Sequence, residues 1–96
     1  MAALLDTYLA DYSGWYWLHD TPATNLVPPA IERLEQLAMP ALVIDGALDL
    51  DYNHAIADVL VQRLPRAELL RIPDAGHMAS LERPAIVNDA IARFAT

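Results

Sequence analysis

The run Ala41-Leu42-Val43-Ile44, apolar at every position and closed by Asp45-Gly46, most constrains what this chain can fold into. A strand with one wet face alternates apolar and polar side chains, whereas a strand covered on both faces does not. Pro40 before the run and Asp45-Gly46 after it are breakers, so the segment reads as a buried strand of a parallel sheet. A parallel neighbour needs a crossover connection, and the following residues supply one. Ile56, Val59, Leu60 and Leu64 share one face of a helix over 54–64, with Asn53 a good N-cap and Pro65 the stop. Ala67 to Ile72 is the second strand. Strand, helix and strand joined by short connections form a right-handed parallel βαβ unit, so the fold class is α/β.

The flanks are helical. Leu4, Leu5, Tyr8, Leu9 and Tyr12 make one apolar face of a helix over 2–12, interrupted by Ser13-Gly14. A dense aromatic cluster follows: Trp15, Tyr16 and Trp17, then Leu18. His19-Asp20-Thr21-Pro22 reads as a turn, and the proline-rich stretch 21–29 as irregular chain. Ile31, Leu34 and Leu37 predict a short amphipathic helix over 29–38, opened by Pro29 and ended by Met39-Pro40. Pro84 opens a last helix with Ile86, Val87, Ala90, Ile91 and Phe94 on one face. Two parts result: a helical segment 1–38 and a βαβα unit 39–96.

Bulk properties exclude several classes. With 55 % hydrophobic residues the chain is not disordered by composition. A formal net charge of −7 repels nucleic acid and anionic lipid, so no nucleic-acid partner is expected. No apolar run approaches the ~20 residues of a membrane span. The first residues lack the basic region and apolar core of a signal peptide, and there is no cysteine; a cytoplasmic location is expected. Two parallel strands make a small core with two open edges, which invites pairing. A homodimer or higher oligomer is expected, with a continuous sheet or swapped helices.

In open parallel sheets, sites lie beyond the carboxyl ends of the strands. Here two loops qualify: the one from Asp45 to His54, after the first strand, and the one from Asp74 to Met78, after the second. Adjacent strands bring a carboxylate near the His77 imidazole, where it can fix the tautomer and stabilise the cation.

The motifs carry a resemblance in their order. Met39-Pro40 before the apolar strand, Gly46-Ala47-Leu48-Asp49 after it, Leu64-Pro65 before Ala67, then Ala75-Gly76-His77 and Glu82-Arg83-Pro84 resemble the C-terminal portion of an α/β-hydrolase-fold enzyme. The likeness is to the superfamily of esterases, lactonases and haloperoxidases, over residues 39–96; residues 1–38 match more loosely as a cap or lid. The resemblance implies that Asp49 is the triad acid, with Asp51 as a stand-in, and that His77 is the base. It implies a small-molecule ester substrate, contacted by Trp15, Trp17 and Met78. The aromatic pair could equally be core or interface anchors.

The family presents its nucleophile on a Gly-x-Ser-x-Gly turn. The three glycines, Gly14, Gly46 and Gly76, build no such frame, and Ser13 and Ser80 are the only serines. A truncated hydrolase is therefore expected, active on carboxylic or phosphoric esters only if another group supplies the nucleophile. A metal-bound water needs no serine. The crowding of Asp45, Asp49, Asp51 and His54 on one loop, facing His77, suggests a divalent cation such as zinc on Asp49, Asp51, His54 and His77, with His19 a further donor. Asp49-x-Asp51-x-Asn53 resembles an EF-hand start, but His54 stands where that loop needs glycine and Leu60 where it needs glutamate. Alternatives are an inactive fragment or interaction module, and half of a split hydrolase completed by another chain.

Overall fold

The computed structural model describes residues 2–20 and 22–96. The expected turn at His19 to Pro22 includes Thr21, which lies outside them. The elements are helix α1 (Ala2–Asp11), short helix α2 (Trp15–Leu18), a 3₁₀ helix (Ala30–Gln36), strand β1 (Ala41–Gly46), helix α3 (Asp51–Arg63), strand β2 (Ala67–Ile72), short helix α4 (Ala79–Glu82) and helix α5 (Pro84–Ala95). β1 and β2 pair in parallel, from Ala41 opposite Ala67 to Gly46 opposite Ile72. The fold is α/β, as the apolar strand predicts.

The core is small and sits at the carboxyl end of the strands. Ile72, Ala75 and Val87 are buried together, with Ile44, Leu70 and Ala79 packed against them. Ile72 is the one large side chain fully buried among the described residues. Helix α3 contributes Ala57 rather than the expected Ile56, which is 43 % exposed; a methyl group lets the helix backbone approach the sheet where a longer side chain would hold it off. Of the α5 face, Val87 alone is buried, and Ile86, Ile91 and Phe94 remain exposed. The strands are half-covered rather than buried on both faces, with only Asp45 and Gly46 of β1 and Ile72 of β2 buried.

Two expectations are corrected. The predicted helix over 29–38 is a 3₁₀ helix of seven residues burying only Leu34. Its threefold spacing of Ile31, Leu34 and Leu37 suits three residues per turn as well as 3.6. Helix α3 begins at Asp51, not after Asn53: the Asn53 and His54 amides both donate to the Leu50 carbonyl, at 3.0 and 3.2 Å, and close the first turn early. The apolar face of α1 is not covered, since neither α1 nor α2 buries a residue. Gly14 joins these two helices in the left-handed region, at φ 73°, where a side chain would be strained. Among the described residues, no helix is long and apolar enough to cross a membrane.

Candidate active site

The two loops beyond the strands meet through main chain. The Ala47 amide donates to the Ile72 carbonyl and the Leu48 amide to the Ala75 carbonyl, both at 2.9 Å. This fit requires glycine at position 46. A Cβ there would collide with the Gly76 carbonyl oxygen and lie 2.5 Å from that of Ala75. The Gly46 carbonyl then accepts the Asp49 amide at 3.0 Å, and this turn delivers the carboxylate across to the second loop.

There Asp49 Oδ2 meets His77 Nδ1 at 2.9 Å. The other oxygen, Oδ1, accepts the Leu50 amide at 2.7 Å and the Asn53 side-chain amide at 2.8 Å. Asn53 Nδ2 also stands 3.5 Å from His77 Nδ1. The Asp49 side chain is 9 % exposed, whereas that of His77 is 76 % exposed. The carboxylate is thus enclosed and the imidazole projects into open space. With Nδ1–H donated to Asp49, Nε2 is the nitrogen left as a base.

The His77 hydrogen bond, then that from Asn53, hold the Asp49 carboxyl at about 2, below its ordinary 3.8. A depressed carboxylate contributes stability that is full above its unfolded-state value and lost as pH falls through its folded value. The contribution of Asp49 is therefore present above about pH 4 and disappears on approach to pH 2. A carboxyl-carbon NMR titration is expected to give a midpoint near 2 for Asp49. A midpoint at the ordinary value would mean that the pair does not form in solution.

Asp45 has a different task. It is the penultimate residue of β1, is 5 % exposed, and lies opposite Arg71 in the register. Its Oδ2 accepts from His54 Nδ1 at 2.7 Å and from Arg71 Nε at 2.8 Å. Burial pushes its carboxyl up, but the bonds from Arg71 and His54 outweigh this and leave it below the ordinary value. In return, the Asp45 bond raises the His54 imidazole above its ordinary value. Arg71 also reaches Asp58 at 3.2 Å. These groups neutralise one another at the edge of the core.

That arrangement divides the expected metal donors between two separate pairs. His54 is turned to Asp45 and His77 to Asp49, while Asp51 is exposed in the first turn of α3. Among the described residues, no group of three or more His, Asp or Glu side chains is placed to hold a metal ion. His19 lies on the other side of the sequence, hydrogen-bonded to the Trp15 carbonyl and stacked on its ring at 4.5 Å.

A cleft of about 190 Å³ opens beside the pair, lined by Asp49, Asn53 and His77 with Ile44, Ile56 and Leu60 among its apolar walls. Trp15, Trp17 and Met78 do not line it. Trp15 packs on His19 and edge-on against Tyr16, and Trp17 is 87 % exposed, since their helix has no buried residue to anchor it on the sheet. Ser13 accepts the Trp15 amide at 3.3 Å as a turn residue, and Ser80 is exposed on α4. Neither hydrogen-bonds to His77 among the described residues.

Sequence reasoning gave Asn53, Arg71 and Glu82 no part in the bonding of Asp49, Asp45 and Gly76. Asn53 follows Asp49 by four residues, a spacing that shares a helix face, and Arg71 is found by counting the parallel register from Asp45. Glu82, whose carboxylate accepts the Gly76 amide at 2.9 Å, leaves no such local signal.

The parallel strands, with a carboxylate and an imidazole beyond their carboxyl ends, and the sequence likeness below together support an α/β-hydrolase-like relationship. Two curated relatives carry it, each named "Putative non-heme bromoperoxidase BpoC", from Mycobacterium tuberculosis strains CDC 1551 / Oshkosh and ATCC 25618 / H37Rv. Each is 37 % identical over 73 residues, which is 76 % of this chain and 26 % of the relative. The chain thus spans about a quarter of the length of the curated relatives it matches. No family model matches the chain, and no solved structure matches it.

Proposed function

We propose that Asp49 and His77 are the acid and base of a hydrolase-type site acting on small-molecule esters, carboxylic or phosphoric. The observation that carries this reading is the 2.9 Å bond from His77 Nδ1 to an enclosed Asp49 carboxylate, with the rest of the imidazole exposed. His77 Nε2 takes the proton as the water or hydroxyl oxygen bonds to the ester carbon or phosphorus, Asp49 stabilises the imidazolium that forms, and the imidazolium returns the proton to the alcohol that leaves as the ester bond breaks. The test is an ester panel run with wild type and His77→Ala, with and without chelator. Turnover that is lost in the variant and unchanged by chelator supports the reading; turnover that survives in His77→Ala overturns it. The name of the relatives makes peroxide-dependent bromination the second assay. Bromination without ester turnover would place the pair in that chemistry instead.

A second reading, completion by another chain, rests on exposed apolar surface. Tyr8, Leu9, Trp17, Val27, Leu48 and Tyr52 are each more than half exposed, and each strand has an unpaired edge. Such edges template further pairing. On this reading a second copy, or a partner bearing the nucleophile, covers them, or the chain is an interaction module without activity. Light scattering is expected to give at least twice the 10.6 kDa chain mass. A monodisperse species of 10.6 kDa would exclude the homo-oligomer.

A further inference from the structure

We infer that Glu82 is a positioning residue, clamping the backbone on both sides of His77 and so aiming the imidazole at Asp49. The inference rests on the reading of His77 as the base. Little packing restrains the His77 side chain, since it is 76 % exposed. Its direction is therefore set by its main chain and by the bond to Asp49. Upstream, Ala75 is fully buried and its carbonyl is held by the Leu48 amide at 2.9 Å. The next residue, Gly76, donates its amide to Glu82 Oε2 at 2.9 Å. Downstream, the Met78 carbonyl accepts the main-chain amides of Leu81 and Glu82, both at 2.9 Å, which starts α4. Glu82 thus grips the residue before His77 with its side chain and the residue after it with its backbone.

Other features fit this use of the carboxylate. A Cβ at Gly76 would stand in ordinary contact with Glu82 Oε2, at 3.4 Å, which places the carboxylate directly over this residue. The adjacent Arg83 guanidinium bonds the Glu82 carbonyl at 2.8 Å, not its carboxylate. Among the described residues the Glu82 carboxylate has no ion-pair partner, which leaves the Gly76 amide as its contact.

The test uses the full chain, isotope-labelled, as wild type, Glu82→Ala and Glu82→Gln. In Glu82→Ala the helical circular dichroism is expected to persist while the Asp49 titration midpoint rises from about 2 toward 3.8 and the downfield His77 Nδ1 proton signal is lost. Glu82→Gln, whose side-chain oxygen still accepts the Gly76 amide, is expected to restore both. A purely structural Glu82 would lower stability and leave both signals of the folded fraction in place, and that result overturns the inference. Should Glu82→Ala not fold, Glu82→Asp decides: its shorter side chain keeps the charge but withdraws from the Gly76 amide, and a folded Glu82→Asp that keeps the downfield His77 Nδ1 proton signal overturns the inference. None of these readouts requires turnover, so an absence of ester hydrolysis would defeat the proposed function without touching this one.

Discussion

Gly46→Ala is expected to destabilise the chain by about 3 kcal/mol or more, the upper end of what overpacking costs. The new methyl group meets backbone: the carbonyl oxygens of Gly76 and Ala75, the latter at 2.5 Å, and the Ala75 carbonyl carbon at 2.9 Å. No rotamer change relieves such a contact, so the two loops must separate. Separation also breaks the Ala47 and Leu48 hydrogen bonds to the second loop, at the point where Ile72 and Ala75 are buried. Small domains have a total stability of about 5–15 kcal/mol, so the loss is a large fraction of it. A shifted urea midpoint with an unchanged slope is the expected signature. Gly14→Ala serves as the contrast. No atom lies within 4 Å of a Cβ there, and only the left-handed backbone at φ 73° opposes it, a penalty of roughly 1–2 kcal/mol. Equal effects at the two positions would show that the loop-to-loop approach does not exist in solution.

The second large effect falls on turnover. His77→Ala is expected to lower ester hydrolysis by about 10²–10⁴-fold, the usual contribution of a positioned general base. Stability should fall as well at neutral pH, because Asp49 loses the bond that holds its carboxyl low, although the largely exposed imidazole contributes little packing. Asp49→Asn is expected to lower turnover in the same range for another reason. An amide nitrogen facing His77 Nδ1 favours the tautomer with its proton on Nε2, which removes the base. It also loses the charge that stabilises the imidazolium. The variant should therefore be defective across the pH range, rather than shifted in its pH profile. If Asp49→Asn retains full turnover while His77→Ala loses it, the carboxylate is a loop strut and not the acid partner.

The loops also show why some residues announce themselves in a sequence and others do not. Asp49 and His77 are legible because they follow short motifs, Gly46 to Asp49 and Gly76-His77, at the ends of readable strands. Asn53 is in plain view but misread: it resembles an N-cap, and only the early start of α3 at Asp51 turns its amide to Asp49. His54 and Asp45 look like members of one donor cluster. The register sets Arg71 opposite Asp45 and makes the carboxylate a buried ion-pair hub. The aromatic residues Trp15 and Trp17 suggest a pocket by their type alone, yet the cleft is built from β1, α3, Ala79 of α4 and the loop residues Asp49 and His77.

The α/β class, both strands, the last helix and the two loops carrying Asp49 and His77 are legible in the chain alone. Those features depend on local pattern: continuous apolar runs, proline and glycine breakers, helical spacing. Folding alone settles which carboxylate meets which imidazole, that Gly46 and Gly76 are in backbone contact, and that Glu82 accepts the Gly76 amide. These depend on distances between residues 6 to 30 positions apart, set by strand register and loop packing, and composition and periodicity do not encode them.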